Sequence, residues 1–229
     1  TQIPELVSAA SKHNRSLHDV RHPSREFDVG NGINRSGKRL LTVGTDVSVG
    51  KMFTALAIEK EMKKRGFDAD FRATGQTGIF IAGSGVSIDA VVADFISGAV
   101  EWLCPENAED HWDIVEGQGS LFNVSYAGVT LGLIHGSQPD AIVVCHEAGR
   151  PHMRSMPHFP LIDLPTCIEF NLQAARLTNP DVRCVGAAIN TSRLSKEEGK
   201  IFCEKISQEI GLPAVDPLRD GVAALVDQI

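Results

Sequence analysis

Short apolar runs and stretches of helical period alternate along most of this chain. The strand-like runs occupy residues 40–43, 70–73, 112–115, 141–145, 183–189 and 212–215. Between them, apolar residues recur at the spacing of amphipathic helices over residues 53–65, 87–103, 124–135, 165–177 and 195–210. This alternation predicts an α/β fold, in which a mostly parallel sheet of about six or seven strands is covered by helices on both faces.

The segment that joins the first predicted strand to the first long helix is bracketed by glycines and ends in a lysine. A strand, a tight loop and a helix start bring free backbone N–H groups to the positive end of the helix, and Lys51 adds a full charge. The segment therefore predicts a phosphate or pyrophosphate site and a three-layer fold like that of P-loop NTPases. We assign cofactor binding to Gly44, Thr45, Asp46, Ser48, Val49, Gly50, Lys51 and Met52. A glycine-rich turn without a ligand is the alternative.

This loop departs from the standard Walker A pattern in two ways. Five residues rather than four separate Gly44 from Gly50, and Met52 stands where that pattern has Ser or Thr. The spacing resembles the dethiobiotin-synthetase-like branch of P-loop proteins. A thioether is a poor ligand for Mg²⁺, and Thr54 lies too far along the helix to be an obvious replacement. We therefore expect phosphate binding, and we assign no metal ligand.

Polar side chains follow several of the predicted strands, at the edge where open α/β sheets bind their ligands. Carboxylates and imidazoles can accept protons, and the planar fork of arginine suits a carboxylate. The catalytic candidates are Glu116, His146 and Glu147. The substrate-binding candidates are Arg72, Thr74, Gln76, Gln118, Arg150 and Arg154. We add Asn190 to the cofactor-binding residues, because in related P-loop proteins an Asn at this strand end often contacts the nucleotide base. Glu116 could instead cap a helix or form a salt bridge, residues 146–154 could be a solvated basic loop, and Asp89 could face either a helix dipole or a substrate amine.

Residues 1–38 differ in pattern from the rest of the chain. A short helix over residues 3–10, with Pro4 in its first turn, leads into a polar stretch that carries His18 and His22. These histidines could form a ligand pair, but polar loop residues are the better interpretation. We interpret residues 1–38 as a connector or the tail of a missing N-terminal domain, and residues 39–229 as the P-loop α/β domain.

The composition limits the partners that we expect. A net charge of -7 argues against a nucleic-acid-binding surface. No apolar run approaches the length of a membrane span, and no signal peptide is apparent, so we expect no membrane partner. The five cysteines are scattered without metal spacing, which is typical of reduced core thiols in a cytoplasmic protein. We also expect a homo-oligomer.

From about residue 39 to residue 227, the chain resembles a bacterial and archaeal family that was long catalogued as a domain of unknown function. The family includes the DgcN-type D-glutamate N-acetyltransferases. The segments that carry the resemblance are RSGKRLLTVGTDVSVGK, DADFRATGQTGIFIAGSGVSIDAVVADFISGA, DIVEGQGSL, YAGVTLGLIHGSQPDAIVVCHE and LTNPDVRCVGAAINTS. The resemblance implies two-domain full-length members and acetyl transfer from acetyl-CoA to the amine of D-glutamate or a similar acidic D-amino acid.

Acetyl-CoA carries a pyrophosphate and a 3′-phosphate, which a P-loop can hold without hydrolysis. Two other functions compete with acetyl transfer. One is an ATP-dependent ligase or kinase of the dethiobiotin-synthetase type, in which Lys51 and Glu116 would handle Mg–ATP. The other is a nucleotide sensor without catalytic activity.

Overall fold

The computed structural model describes residues 3–23 and 25–229. The strands in these residues are β1 (Lys38–Gly44), β2 (Ala69–Arg72), β3 (Trp112–Val115), β4 (Ala141–Glu147), β5 (His152–Met153), β6 (Met156–Pro160), β7 (Arg183–Asn190) and β8 (Ala214–Val215). All but β5 and β6 form one sheet in the order β2-β3-β1-β4-β7-β8, and every neighbouring pair in it is parallel. The predicted parallel sheet is therefore confirmed.

Helices cover both faces of this sheet. They are α1 (Pro4–Lys12), α2 (Lys51–Lys64), α3 (Gln76–Ala82), α4 (Ile96–Leu103), α5 (Ala127–Ser137), α6 (Leu164–Ala175), α7 (Lys196–Ile210) and α8 (Ala223–Val226). Successive strand residues face opposite ways, so Leu40 joins the core under α2 and α8, while Leu41 joins the core under α4 to α7. The two cores confirm the three-layer arrangement. None of the described helices is both long and apolar enough to span a bilayer.

The segment before α4 is not the continuous helix that the sequence predicts over residues 87–103. Val91 and Val92 have extended backbones, and Ser87 makes no side-chain cap. β-Branched residues lose rotamer freedom in a helix, which accounts for the break at this valine pair. The chain instead makes two short 3₁₀ turns, Ile88–Ala90 and Ala93–Phe95, before α4 begins.

The segment after β4 is also more ordered than a loop. β5 and β6 form an antiparallel hairpin, in which Met153 pairs with Met156. Ser155, in the turn between them, has a positive φ of 63°. The hairpin projects from the carboxyl end of the sheet, and its turn places Arg154 beside the P-loop.

The chain before β1 packs against α4. The backbone N–H groups of Asn31 and Gly32 donate to the Glu101 carboxylate at 3.0 and 2.9 Å. The ring of Phe27 lies 5.7 Å from that of Trp102. This stretch is therefore attached to the sheet domain, and the assignment of residues 1–38 to a separate unit stays a prediction.

Candidate active site

A left-handed turn closes the loop between β1 and α2. Ser48 and Gly50 have positive φ angles of 54° and 104°, and Gly50 immediately precedes α2. A φ of this size is readily adopted only by glycine, which explains the second glycine of the motif. The helix begins at Lys51, two residues earlier than the sequence predicts. The positive end of α2 therefore lies directly at the loop.

Lys51 lies beneath this loop, with only 7% of its surface exposed. Its Nζ atom donates to the carbonyl oxygen of Asp46 at 2.9 Å. An ammonium group has three N–H donors, and Nζ has no second hydrogen-bond partner among the described residues, so two donors are left for an anion. Burial lowers the pKa of Lys51 to about 8. The charged ammonium form of this side chain therefore predominates at pH 7.

Asp46 fastens the loop to its surroundings. One carboxylate oxygen accepts from the Asn123 amide at 2.9 Å, and the other accepts from Arg150 at 2.9 Å and from the backbone N–H of Arg154 at 2.6 Å. Burial alone would raise the pKa of Asp46, but these hydrogen bonds hold it below its usual value. The carboxylate therefore stays ionised, and the protein itself occupies both of its oxygens.

The sequence predicts a substrate clamp at Arg150, but the structure commits this side chain to the P-loop. Its guanidinium donates to the carbonyl oxygens of Val47 at 2.8 Å and Ser48 at 3.1 Å, and it pairs with Glu147. Glu147 also accepts from Arg193 at 2.5 Å. Arginines thus engage both carboxylate oxygens of Glu147. The structure therefore does not bring Arg150 or Glu147 to the predicted substrate and catalytic positions.

His146 packs between α7 and Thr45 of the P-loop. Its ring stacks on that of Phe202 with 6.0 Å between centroids, and the Thr45 hydroxyl lies 3.1 Å from Nδ1. Burial, reinforced by the charge of Arg150, lowers the pKa of His146 to about 4. Neither cleft beside the P-loop is lined by His146. The structure therefore places His146 outside both clefts, and its catalytic role stays a prediction.

Acidification tests this placement of His146. Its pKa in the folded state lies below the ordinary value of 6.5, so stability is lost as the pH falls from 6.5 through 4. We expect His146→Phe, which keeps a stacked ring but cannot be protonated, to lose less melting temperature than the wild type over that range. Parallel melting curves, or an imidazole that titrates near its ordinary pKa by NMR, would contradict a buried neutral histidine.

Glu116 is buried at the end of β3 and holds the loop that follows β2. Its Oε2 accepts from the backbone N–H groups of Thr74 at 2.9 Å and Gly75 at 3.1 Å, and its Oε1 accepts from the Gln118 amide at 3.1 Å. Burial raises the pKa of Glu116. Gly78 makes room for the carboxylate, because a Cβ there would lie 2.2 Å from Oε2. Three predicted site residues, Glu116, Thr74 and Gln118, thus contact one another.

Two other predicted substrate contacts are not brought to the P-loop. Arg72 Nε donates to the carboxylate of Asp113 at 2.5 Å. Because Asp113 lies three positions before Glu116, the Arg72 side chain points back along the sheet, away from its carboxyl end. Gln76 instead lines a surface pocket with Phe80 and residues of the N-terminal segment.

An apolar cleft lies on the β7–β8 side of the P-loop. It has a volume of about 400 Å³ and is lined by Val49, Gly50, Phe53, Thr54, Ala188, Asn190, Ser192, Asp216, Pro217, Leu218 and Arg219. Asn190 stands at the carboxyl end of β7, where the sequence predicts a contact to a nucleotide base. A concave, mainly apolar lining with a few polar groups suits a flat heterocyclic ring.

A second, more polar cleft lies on the β3 side. It has a volume of about 570 Å³ and is lined by Val47, Ser48, Asp89, Gln118, Gly119, Ser125, Tyr126, Val129, Arg154, Ser155 and Met156. The hydrogen bond from the Arg154 backbone to Asp46 ties the hairpin turn to the P-loop. The Arg154 side chain is exposed, and its guanidinium has no hydrogen-bond or ion-pair partner among residues 3–23 and 25–229. Arg154 and Gln118 are thus the predicted substrate contacts that share a cleft with the P-loop.

The side chains around the loop do not favour a divalent cation. Met52 offers only a thioether. The oxygens of Asp46 and Glu116 already accept hydrogen bonds from the protein. In the part of the chain that the structure describes, no group of three or more His, Cys, Asp or Glu side chains could hold a metal ion. Direct coordination of Mg²⁺ at this loop would require these contacts to rearrange.

Several residues of the site are given no role by the sequence analysis. Asn123 and Arg193 hold Asp46 and Glu147, while Ser125 and Tyr126 line the polar cleft. Asn123, Ser125 and Tyr126 lie between β3 and α5, and Arg193 follows β7. Their position after strand ends was the available signal, but it does not show which side chain turns inward.

Residues 28–226 match a family described as a domain of unknown function, the DUF1611_C P-loop domain. A protein of Pseudoalteromonas sp named D-glutamate N-acetyltransferase is 59% identical over 226 residues, which make up 99% of this chain and 68% of that protein. A protein of Tritonibacter scottomollicae with the same name is 50% identical, with the same coverage of both chains.

Solved structures agree with the family match. A DUF1611 family protein from Anabaena variabilis is 38% identical and superposes with a TM-score of 0.90, over 99% of this chain and 67% of that one. A nucleotide-binding protein of Archaeoglobus fulgidus, solved with ADP, gives a TM-score of 0.51 at 14% identity over 83% and 86% of the two chains, which supports the fold alone. The family prediction is confirmed, and this chain belongs to the DUF1611 family, whose P-loop domain it contains.

Proposed function

We propose that this protein transfers the acetyl group of acetyl-CoA to the amino group of D-glutamate or a similar acidic D-amino acid. The observation that carries the proposal is that two clefts, one apolar and one polar, meet at a single phosphate-type loop. The polar cleft contains Arg154, whose guanidinium has no partner among the described residues. The relatives named D-glutamate N-acetyltransferase, at 59% and 50% identity, support the same reaction.

The P-loop and the apolar cleft suit the nucleotide part of acetyl-CoA. Lys51 and the first N–H groups of α2 would hold phosphate oxygens, since both attract anions. Asn190 and residues 216–219 would enclose the adenine in the apolar cleft. This mode of binding requires no phosphate hydrolysis, so it does not need the metal-binding hydroxyl that Met52 replaces.

The polar cleft suits the acidic amino acid. Its Arg154 offers a planar fork that can donate two parallel hydrogen bonds to one carboxylate. The protein carries a net charge of -7, which repels a dicarboxylate at long range, so binding needs a local cation of this kind. Because the hairpin turn is tied to Asp46, the acceptor would sit within reach of the donor bound at the P-loop.

Acetyl transfer forms a bond between the amine nitrogen and the thioester carbonyl carbon and breaks the carbon–sulfur bond. The ammonium group loses one proton before the attack and a second as the amide forms, and one of these protons ends on the sulfur of CoA. We assign the proton acceptor to Glu116, because burial raises its pKa and its Oε1 accepts from Gln118, a residue of the polar cleft. Glu116 itself lines neither cleft, so this role requires the Gln118 amide to move away from Oε1 when the acceptor binds. The Gln118 amide and the backbone N–H groups near Gly119 are the candidate donors to the oxyanion.

A thermal-shift comparison tests the choice of donor. We expect acetyl-CoA to raise the melting temperature equally with and without EDTA, and Mg–ATP to raise it less. Stabilisation by Mg–ATP alone would favour the ATP-dependent ligase or kinase. Tight nucleotide binding without turnover of either donor would favour the nucleotide sensor.

Arg154→Lys tests the acceptor site, because it keeps the charge but loses the fork. We expect the KM for D-glutamate to rise about tenfold, since a second hydrogen bond to a charged group is lost, while acetyl-CoA affinity changes little. Arg176→Lys is the matched control, because Arg176 is paired with Glu169 on α6 and lines neither cleft. An unchanged KM in Arg154→Lys would remove this arginine from the acceptor site.

A further inference from the structure

The polar cleft carries a negative side chain as well as the unpartnered arginine. Asp89 lines the same cleft as Arg154. A free amino acid is a zwitterion, with an ammonium group close to a carboxylate. A cleft that binds one needs an anion and a cation on its walls, and these two side chains provide them.

The backbone around Asp89 is held firmly in place. The residue lies in the 3₁₀ turn Ile88–Ala90, and Ile88 is completely buried. The backbone N–H of Ile88 donates to the Thr74 carbonyl at 3.0 Å, which joins the turn to the loop that Glu116 holds. The Ser87 hydroxyl donates to Oδ1 of Asp89 at 2.9 Å. One carboxylate oxygen is thus fixed by the protein, and the orientation of the other follows from it.

The other oxygen of Asp89 faces a cation that can be replaced. Arg21, from the segment before β1, lies 3.1 Å from Oδ2, and the two side chains are 54% and 49% exposed. Exposed ion pairs of this kind are weak, because water competes for both charges. A second cation that is held in the cleft by further contacts can therefore displace Arg21. The guanidinium occupies the position that a substrate ammonium group would take.

We propose that Asp89 binds the amino group of the acceptor while Arg154 binds a carboxylate, and that Arg21 leaves Asp89 when the amino acid enters. This inference rests on the proposed transfer to an amino acid. It makes Asp89 the residue that selects for a free amine and orients it. It also makes Arg21 an internal competitor that weakens acceptor binding.

Calorimetric titration of the whole chain with D-glutamate and with glutarate, which lacks the amine, tests this assignment. We expect Asp89→Asn to raise the Kd of D-glutamate about tenfold, and to leave glutarate and acetyl-CoA binding within about twofold of the wild type. Arg21→Gln should lower the Kd of D-glutamate about two- to fivefold, the range for an exposed ion pair. Asp94→Asn is the matched control, because Asp94 is exposed in the next 3₁₀ turn and does not line the cleft.

Two results would overturn the proposal. One is a wild-type Kd for D-glutamate in Asp89→Asn; the other is an equal loss of D-glutamate and glutarate binding, which would indicate a general change of the cleft. If wild-type protein acetylates D-glutamate but Asp89→Asn behaves as the wild type, the acetyl transfer stands and only the role of Asp89 fails. If wild-type protein neither binds nor acetylates D-glutamate, both fail.

Discussion

Replacing Lys51 by methionine is expected to weaken acetyl-CoA binding by about 1.5–3 kcal/mol, roughly 10- to 150-fold, because a charged donor to phosphate is lost. Methionine keeps an unbranched chain of similar length, so the packing of the buried stem is preserved. Calorimetric titration with acetyl-CoA measures the change. Lys60→Met is the control, because Lys60 is exposed on the same helix, α2. Unchanged affinity in a folded Lys51→Met protein would show that the loop does not bind the phosphates.

The same substitution is expected to raise stability near neutral pH. Burial lowers the pKa of Lys51 from 10.5 to about 8, so the unfolded chain binds this proton more tightly than the folded chain does. The charge therefore destabilises the fold below pH 8, and this cost disappears as the pH rises toward 10.5. Lys51 thus lowers the stability of the fold while it lies at a phosphate-type loop. This combination is typical of a residue that is retained for binding and not for stability. A lower melting temperature for Lys51→Met at pH 7 would contradict this account of the buried charge.

Gly117→Ala is expected to cause the largest loss of stability. A Cβ at Gly117 would lie 1.6 Å from the carbonyl oxygen of Thr42 and 3.0 Å from Cδ of Lys51. The obstacle is backbone of the central strand, β1, which cannot move aside as a flexible side chain can. The N–H of Gly117 also donates to the Thr42 hydroxyl at 2.9 Å, and displacement would break that bond. We expect the free energy of unfolding to fall by about 3 kcal/mol or more.

Urea denaturation measures this change, with Gly128→Ala as the control. Gly128 lies in α5 and a Cβ there would meet nothing within 4 Å. Alanine in a helix is favoured over glycine, so the control should match the wild type or gain up to about 1 kcal/mol. If Gly117→Ala unfolds at the same urea concentration as Gly128→Ala, the loop after β3 does not pack against Thr42 of β1 as closely as the structure shows.

The sheet could be predicted from the sequence because its strands are short, buried and flanked by turn residues. Leu40, Ile114 and Val143 lie in short apolar runs, a pattern typical of strands in a sheet that is covered on both faces, and all three are buried in the core. The P-loop could be predicted as well, since Gly50 and Lys51 form a local motif. Both features depend on residue type and on neighbours in the chain, which a sequence contains.

The partners of the charged side chains could not be predicted in the same way. A position after a strand end does not tell whether an arginine turns toward the ligand edge or back along the sheet, and Arg72 turns back to Asp113. Arg150 follows β4 as predicted, but Asp46 lies 104 residues away in the chain and captures it. Such pairings depend on tertiary distances between residues that are far apart in sequence.

The break at Val91 and Val92 shows a different limit. The surrounding apolar spacing is compatible with a helix, and only the local preference of two adjacent β-branched residues argues against it. The missed break matters for the proposed acceptor site, because it leaves the short turn that places Asp89 at the polar cleft.

The most direct test of the proposed reaction follows the acetyl group itself. Wild-type protein is incubated with D-glutamate, EDTA and acetyl-CoA that is isotopically labelled at the acetyl carbonyl carbon, and NMR monitors the label. We predict that the label appears in an amide of the amino acid and that one free CoA thiol is released for each amide formed. Absence of any labelled amide, together with D-glutamate-dependent consumption of ATP in a parallel incubation that contains Mg–ATP and no EDTA, would contradict acetyl transfer at this P-loop.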